Sequence, residues 1–398
     1  MTSANDEEKE VLRRLYWLTF IESVGTVLLE RGLYFYTQNV LAFSEAKNLW
    51  LALAFGVTYV VGAMSSHRVC VRVSERGLLL TALLALLVIH FALTVFPQPA
   101  LLIAAFPLVG LLQGIKWPVV ESFISAGRAP AELVRVLGRF NTTWAIAVPL
   151  ALVVSGPLIA SAFPASLFAA AGGLNAIALA FVLPLPARPL HLDHTHPERP
   201  NPRELRHFSS LLLSARWAML LSYTLLFLLA PLMPSVLSRL SLSVSEATSA
   251  AGLLDFARVV SFAVLGAWLG WRGRSWPLLL SIALLPLSFA AILFGTNLSL
   301  LLCGEVLFGV ASGITYTASL YYALLVKNAS VDAGGAHEGL IGLGFALGPL
   351  IGLAGQALTP AVGNTLLATL ASLAPVALLS TLFALRALRP RLQDSASS

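Results

Sequence analysis

The chain has 398 residues, of which 58% are hydrophobic and 11% charged, against about 25% charged residues in ordinary soluble domains. A mean hydropathy of +0.84 excludes a soluble globular protein and points to membrane-spanning helices; apolar runs of about 20 residues exclude the alternating strands of a membrane barrel. The net charge of +6 is not a nucleic-acid footprint, because the basic residues are distributed by topology.

The first ten residues are polar and acidic and lack the basic start, short apolar core and small-residue cleavage site of a signal peptide, so the first span is expected to be retained. Twelve spans are predicted, at 11–40, 49–69, 78–96, 101–124, 140–160, 166–183, 215–237, 248–270, 276–294, 298–326, 339–358 and 365–387. Pro97-Gln-Pro99, Gly295-Thr-Asn297 and Thr359-Pro360 punctuate the connections. With both termini inside, 20 of the 25 Lys and Arg fall on inner segments and two, Lys47 and Arg239, on outer ones; Arg31, Lys116 and Arg258 lie within spans. That asymmetry is a strong positive-inside signal. It predicts a multi-pass protein of the plasma (inner) membrane with both termini cytoplasmic.

Residues 184–210 are polar and proline-rich and read as an inner linker between an N-terminal six-helix half, 1–183, and a C-terminal half, 211–398. Within the linker, His191-Leu-Asp193-His194-Thr-His196 offers metal-ligand residue types but nothing that fixes coordination, so it reads as a solvated loop. Cys70 and Cys303 form no framework of pairs. No metal or cofactor is expected.

The halves echo each other. Gly110, Gly114 and Ile115 correspond to Gly309, Gly313 and Ile314, and Pro149-Leu150 to Pro349-Leu350, at an offset near 200. Parallel six-span repeats with substrate held near the midplane are a transporter architecture. Twelve spans, inside termini, a mid-chain linker and a parallel half-repeat resemble the major facilitator superfamily over nearly the whole chain. Glu75-Arg76-Gly77 is similar to part of the superfamily's motif between spans two and three. The Gly-x-x-x-Gly-Pro-x-x-Gly signature associated with antiporters on the fifth span is reduced there to Ser155-Gly156-Pro157, and stands instead on the eleventh as Gly344, Gly348, Pro349 and Gly352. The resemblance implies an all-α membrane protein, two six-helix bundles around a central cavity. Gly344/Gly348/Gly352, Gly110/Gly114, Gly309/Gly313 and Gly266/Gly270 read as helix-packing faces.

Charges within the spans carry the functional reading, since each costs about 2.5–3.5 kcal/mol or more near the bilayer centre. At 100° per residue, Gln113, Trp117 and Glu121 form a stripe flanked by Lys116; the corresponding Ser312, Thr315, Tyr316 and Ser319 are polar but uncharged. The first span carries Glu22, Thr26 and Glu30, then Arg31 and Tyr34. Glu22 and Lys116 stand at comparable depth and form a plausible pair between helices. Asp255 and Arg258 are spaced i, i+3 for pairing on one helix, Glu305 and His90 stand towards the outer side, and Glu121 is expected near the inner end, facing water or Arg128. These groups serve either as structural ion pairs or as proton carriers, because desolvation and a moving cation change a carboxylate's hold on its proton. The proton candidates are Glu22, Glu30, Asp255 and Glu305. The cavity candidates are Arg31, Tyr34, Gln113, Lys116, Trp117, Arg258, Ser312, Thr315, Tyr316 and Ser319.

A second, local resemblance is to proton-coupled oligopeptide transporters: Glu30-Arg31-Gly-Leu-Tyr34-Phe35 is similar to their first-span motif, as are Gly114-Ile-Lys116 on the fourth span and Gly304-Glu305 on the tenth. Val27 and Gly32 depart from that motif, and its fifth-span I-N-x-G is absent, so the resemblance implies proton coupling rather than peptides. The function expected is secondary active, proton-coupled transport of a small polar or amphipathic organic solute by a monomer in the lipid bilayer, with no nucleic-acid partner. Multidrug efflux by proton antiport is the alternative within the class, favoured by Trp117, Trp144, Tyr316, Tyr321 and Tyr322. A membrane sensor without transport is the alternative outside it. No metal spacing, paired nucleophile and base, or phosphate loop supports an enzyme.

Overall fold

The computed structural model describes residues 4–30, 32–191, 200–238, 240 and 244–394. Arg31, Arg239 and residues 192–199 of the histidine-rich linker lie outside them. The helices run in chain order as α1 (Ala4–Glu30), α2 (Gly32–Asn39), α3 (Glu45–Val73), α4 (Glu75–Val95), α5 (Pro99–Ser125), α6 (Pro130–Ala160), α7 (Ser166–Val182), α8 (Pro202–Ser238), α9 (Val244–Ala267), α10 (Trp276–Phe294), α11 (Leu298–Val326), α12 (Val331–Val362) and α13 (Thr365–Asp394). A helical segment stands at each of the twelve predicted spans, the first shared by α1 and α2. Among the described residues, nine helices are long and apolar enough to cross a membrane.

Capping chemistry sets several boundaries. Asn297 accepts from the Leu300 amide (2.9 Å) and starts α11. Gly363, at φ 74°, closes α12 in the left-handed region that favours glycine. At α8, the Asn201 side chain accepts from the Arg203 and Glu204 amides while the Glu204 carboxylate accepts from the Asn201 amide, a reciprocal cap with Pro202 at the first helical position. That cap carries α8 back to Pro202, well before the predicted start at 215. Pro130 likewise starts α6 ahead of 140, and α12 begins at Val331 rather than 339.

Each helix turns its apolar residues two ways. On α4, Leu79, Leu83, Leu86 and His90 are buried, whereas Leu84, Val88, Phe91 and Val95 form an exposed stripe on another face. In water such a stripe is a liability; in hydrocarbon it is the lipid-facing surface.

Small residues bring the helices together where lipid supplies no hydrophobic drive. Gly110 and Gly114 of α5 rest on the α3 backbone at Phe55 and Tyr59, and Gly309 and Gly313 of α11 rest on α9 at Leu254, Ala257 and Ser261. The echo in sequence is thus an echo in packing. Helices on either side of 184–210 pack largely among themselves, and α3 with α12, α5 with α12, and α6 with α9 connect the two groups. At the last of these the backbones touch: a Cβ on Gly138 would fall on the Cα of Gly266, and the reverse. Gly344 and Gly348 seat α12 on α8 at Tyr223 and Phe227. Within α5, Pro118 withdraws an amide from the helix ladder, and the Ser66 hydroxyl of α3 donates to the Ile115 carbonyl there (2.7 Å).

Candidate functional site

The polar residues of the spans converge on the interior in two groups. In the first, Lys116 of α5 donates to the Glu22 carboxylate of α1, and both are only 1% exposed. Glu22 also accepts from the Asn175 amide of α7 (2.9 Å), whose Oδ1 meets His90 Nδ1 of α4 (2.7 Å). One turn from Glu22, Thr26 donates to Gln113 (3.2 Å). The Lys116 ammonium stands 4.9 Å from the Trp117 ring centroid, a cation–π contact. Four helices therefore supply one chain of buried contacts, His90–Asn175–Glu22–Lys116. Asn175 had no place among the sequence candidates, since a lone asparagine in an apolar run carries no pattern.

The second group lies on α8, α9, α11 and α12. Arg258 sits 3.6 Å from Asp255, and its guanidinium reaches the Tyr223 hydroxyl (3.4 Å). Aromatic rings line it: Trp144 of α6 at 4.9 Å, Tyr223 at 5.8 Å and Phe262 at 5.9 Å. Tyr316 packs on Trp144, Phe262 and the His337 ring. Ser319 meets His337 Nδ1 at 3.2 Å. Ser312 and Thr315 donate to carbonyls of their own helix, at Gly309 and at Ala311 and Ser312, so their hydroxyls are already satisfied. Glu305 is buried where α11 packs on α9, within electrostatic reach of Asp255 in the second group. Tyr34 of α2 sets its ring edge-on to Phe106 (6.4 Å), and Glu30, half-buried at the end of α1, acts electrostatically on Tyr59 and on Tyr223 of the second group. Arg31 falls outside the described residues.

Glu121 lies near the end of α5, as expected, but faces neither water nor Arg128. It is fully buried, and Arg128 bonds instead to Glu132 (2.8 Å). The physical reason is α12: Gly334 lets that helix lie on Pro118 and against the Glu121 carboxylate. This places His337 and Glu338 beside Glu121, with a ligand atom of each within 4.8 Å of the others. Tyr59 of α3 donates its hydroxyl to Glu338. His337 and Glu338 escaped the sequence reading because the polar first turns of α12 lowered its hydropathy and put the span's start at 339. Ser330, which accepts from the Ala333 amide (3.4 Å) and caps the helix, was the signal available. Two carboxylates brought this close are groups that can share a proton.

Comparison with known proteins covers most of the chain. The sequence profile of the Major Facilitator Superfamily matches residues 19–353. Among curated protein sequences none matches significantly. The human organic anion transporter MFSD10 (TETRAN) is similar in structure, with a TM-score of 0.65 at 14% identity, over 95% of this chain and 99% of that one. The E. coli fucose:proton symporter FucP gives 0.65 at 15% identity, over 94% and 98%. FucP in its outward conformation gives 0.62 at 17% identity, again over 94% and 98%. At such identities the likeness is one of fold.

Proposed function

The chain belongs to the Major Facilitator Superfamily, and from that premise we propose that it is a secondary transporter moving a small polar or amphipathic organic solute together with protons by alternating access. Its two units are residues 1–183 and 211–398, joined by the 184–210 linker and rocking about a central cavity, with both termini on the cytoplasmic face of the plasma (inner) membrane. The observation that carries this reading is the Lys116–Glu22 pair, 1% exposed at mid-helix. A buried ion pair is a poor source of stability, because desolvation offsets most of its attraction. In a membrane helix it marks a path for substrate or proton. The chain of His90, Asn175, Glu22 and Lys116 offers donors and acceptors through which a proton arriving on Glu22 would free Lys116 for an anionic or polar group of the substrate. In the second group, Arg258 among Trp144, Tyr223 and Phe262 supports a solute with an apolar body and an acidic or hydroxyl-rich end. The solved neighbours, an organic anion transporter and a fucose:proton symporter, have substrates of that general kind.

The test is solute flux in proteoliposomes under an imposed proton gradient, screening organic acids and sugars. Wild type is expected to accumulate or expel one of them only with the gradient, and Lys116→Ala and Glu22→Gln each to lose gradient-driven movement while remaining folded. Unchanged transport in both variants removes the pair from the mechanism.

A further inference from the structure

Each pairing open to the proton candidates read from the sequence stays within one group of helices, Glu22 and Glu30 before the linker and Asp255 and Glu305 after it. Glu121 and Glu338 do not: the first is on α5, before the linker, and the second on α12, after it. Both are buried, at 0% and 4% exposure, and with His337 they gather within 4.8 Å. No hydrogen-bond donor among the described residues reaches either Glu121 oxygen, and His337 Nε2, on a ring that is 0% exposed, also has no partner. No salt bridge among the described residues reaches either carboxylate: Lys116 is on Glu22, and Arg258 on Asp255. Arg216 of α8 acts on His337 and Asp332. The other groups that face the pair are phenols, Tyr59 from α3 on Glu338, Tyr316 from α11, and Tyr223 from α8. Glu30 of the first span acts on Tyr59, and His67 of α3 lies in a cleft with Asp332 beside it.

Two buried carboxylates that meet with no Lys or Arg on either among the described residues cannot both be ionised. We propose that Glu121 and Glu338 are a proton-binding site: one proton, covalently bound to one carboxyl and hydrogen-bonded to the other, clasps α5 to α12 and so holds the two helical groups together at that end of the bundle. When the proton leaves, both groups are anions, each repels the other, and the contact through Gly334 and Pro118 opens. The Tyr59 hydroxyl and the His337 ring are positioning groups. Tyr59 fixes the Glu338 carboxyl, and His337 is fixed through Ser319. Glu121 lies four residues from the end of α5 and Glu338 seven from the start of α12, about 6–10 Å along each helix. The clasp therefore sits between the Lys116–Glu22 pair and the helix ends. The proposal extends the proton-coupled reading, and its test needs no transport.

Two measurements on the full chain in lipid test it. Infrared difference spectra between low and high pH are expected to show a protonated carboxyl C=O band in wild type that is missing in both Glu121→Gln and Glu338→Gln. Spin labels at Val71→Cys and Lys327→Cys, exposed positions on α3 and after α11, in a Cys70→Ser/Cys303→Ser background, are expected to move apart as pH rises. In Glu121→Gln/Glu338→Gln, which mimics the protonated pair, they stay at the short distance throughout. A band that survives both single substitutions, or a wild-type distance that does not change with pH, overturns the proposal. So does a visible absorption band on adding Co2+ that His337→Ala abolishes, since the site would then be a metal site. Flux measured on the same vesicles separates the two ideas: absence of proton-driven transport in wild type, with band and distances as expected, removes the transport reading and leaves the clasp.

Discussion

A lysine with 1% of its side chain exposed survives only because its neighbours replace water. Lys116 has the Glu22 carboxylate and the Trp117 ring; Glu22 has Asn175 as well. Removing one member leaves the other charge buried and unpaired, which costs about 3–5 kcal/mol, whereas replacing both by neutral groups of similar volume is close to neutral. Lys116→Ala is accordingly expected to lower the thermal unfolding temperature more than the double variant Lys116→Met/Glu22→Gln, in melts of purified protein in lipid discs. Equal melting of the two would mean that the pair carries no such coupling. This pairing was legible in the sequence, because both residues stand at similar depth on helices of known direction. The Glu121–Glu338 contact was not, since it joins positions 217 residues apart through the approach of α12, and no local pattern encodes which glycine a distant helix will lie against. Asn175 was invisible for a related reason: its partners, Glu22 and His90, stand 153 and 85 residues away.

At the scale of the element, glycine decides where helices cross. The expected stripes at Gly110/Gly114 and Gly309/Gly313 do pack face to face, on α3 and α9, because a four-residue spacing clears one side of a helix whatever the partner. Gly138 lacked such a repeat and was passed over, yet its contact with Gly266 joins α6 to α9 backbone to backbone. A leucine at 138 cannot be accommodated without parting the two helices, whereas a side chain at Gly156, on the same helix, meets nothing within 4 Å. Gly138→Leu is expected to reduce flux by at least tenfold, and Gly156→Leu to leave it within twofold, in parallel vesicle assays with matched protein content. Caps behave more simply. Asn201→Ala removes acceptors from two amides at the start of α8 and is expected to cost about 1 kcal/mol, read as a small fall in melting temperature.

For the whole molecule, orientation follows from charge rather than from fold, since an all-helical bundle fits the bilayer equally well either way up. Every second connecting segment holds nearly all the Lys and Arg outside the predicted spans, and moving such residues across the hydrocarbon during insertion is what the positive-inside rule penalises. The bias also tests the number of crossings: an odd count would put basic segments on both sides and erase it. Cysteines at Gln98 and Thr296, exposed in the α4–α5 and α10–α11 connections, and at Val71 and Arg203, exposed on α3 and at the start of α8, sample both ends of the helices before and after residues 184–210. In intact cells a membrane-impermeant maleimide is expected to label Gln98→Cys and Thr296→Cys, and to reach Val71→Cys and Arg203→Cys only after permeabilisation. Reversal at all four sites would turn the protein over. Reversal in one unit alone would mean that the two units enter the membrane in opposite senses. The six spans predicted before residue 184 argue against that, because an even number of crossings returns the chain to the face it started from, so the helices after the linker enter in the same sense.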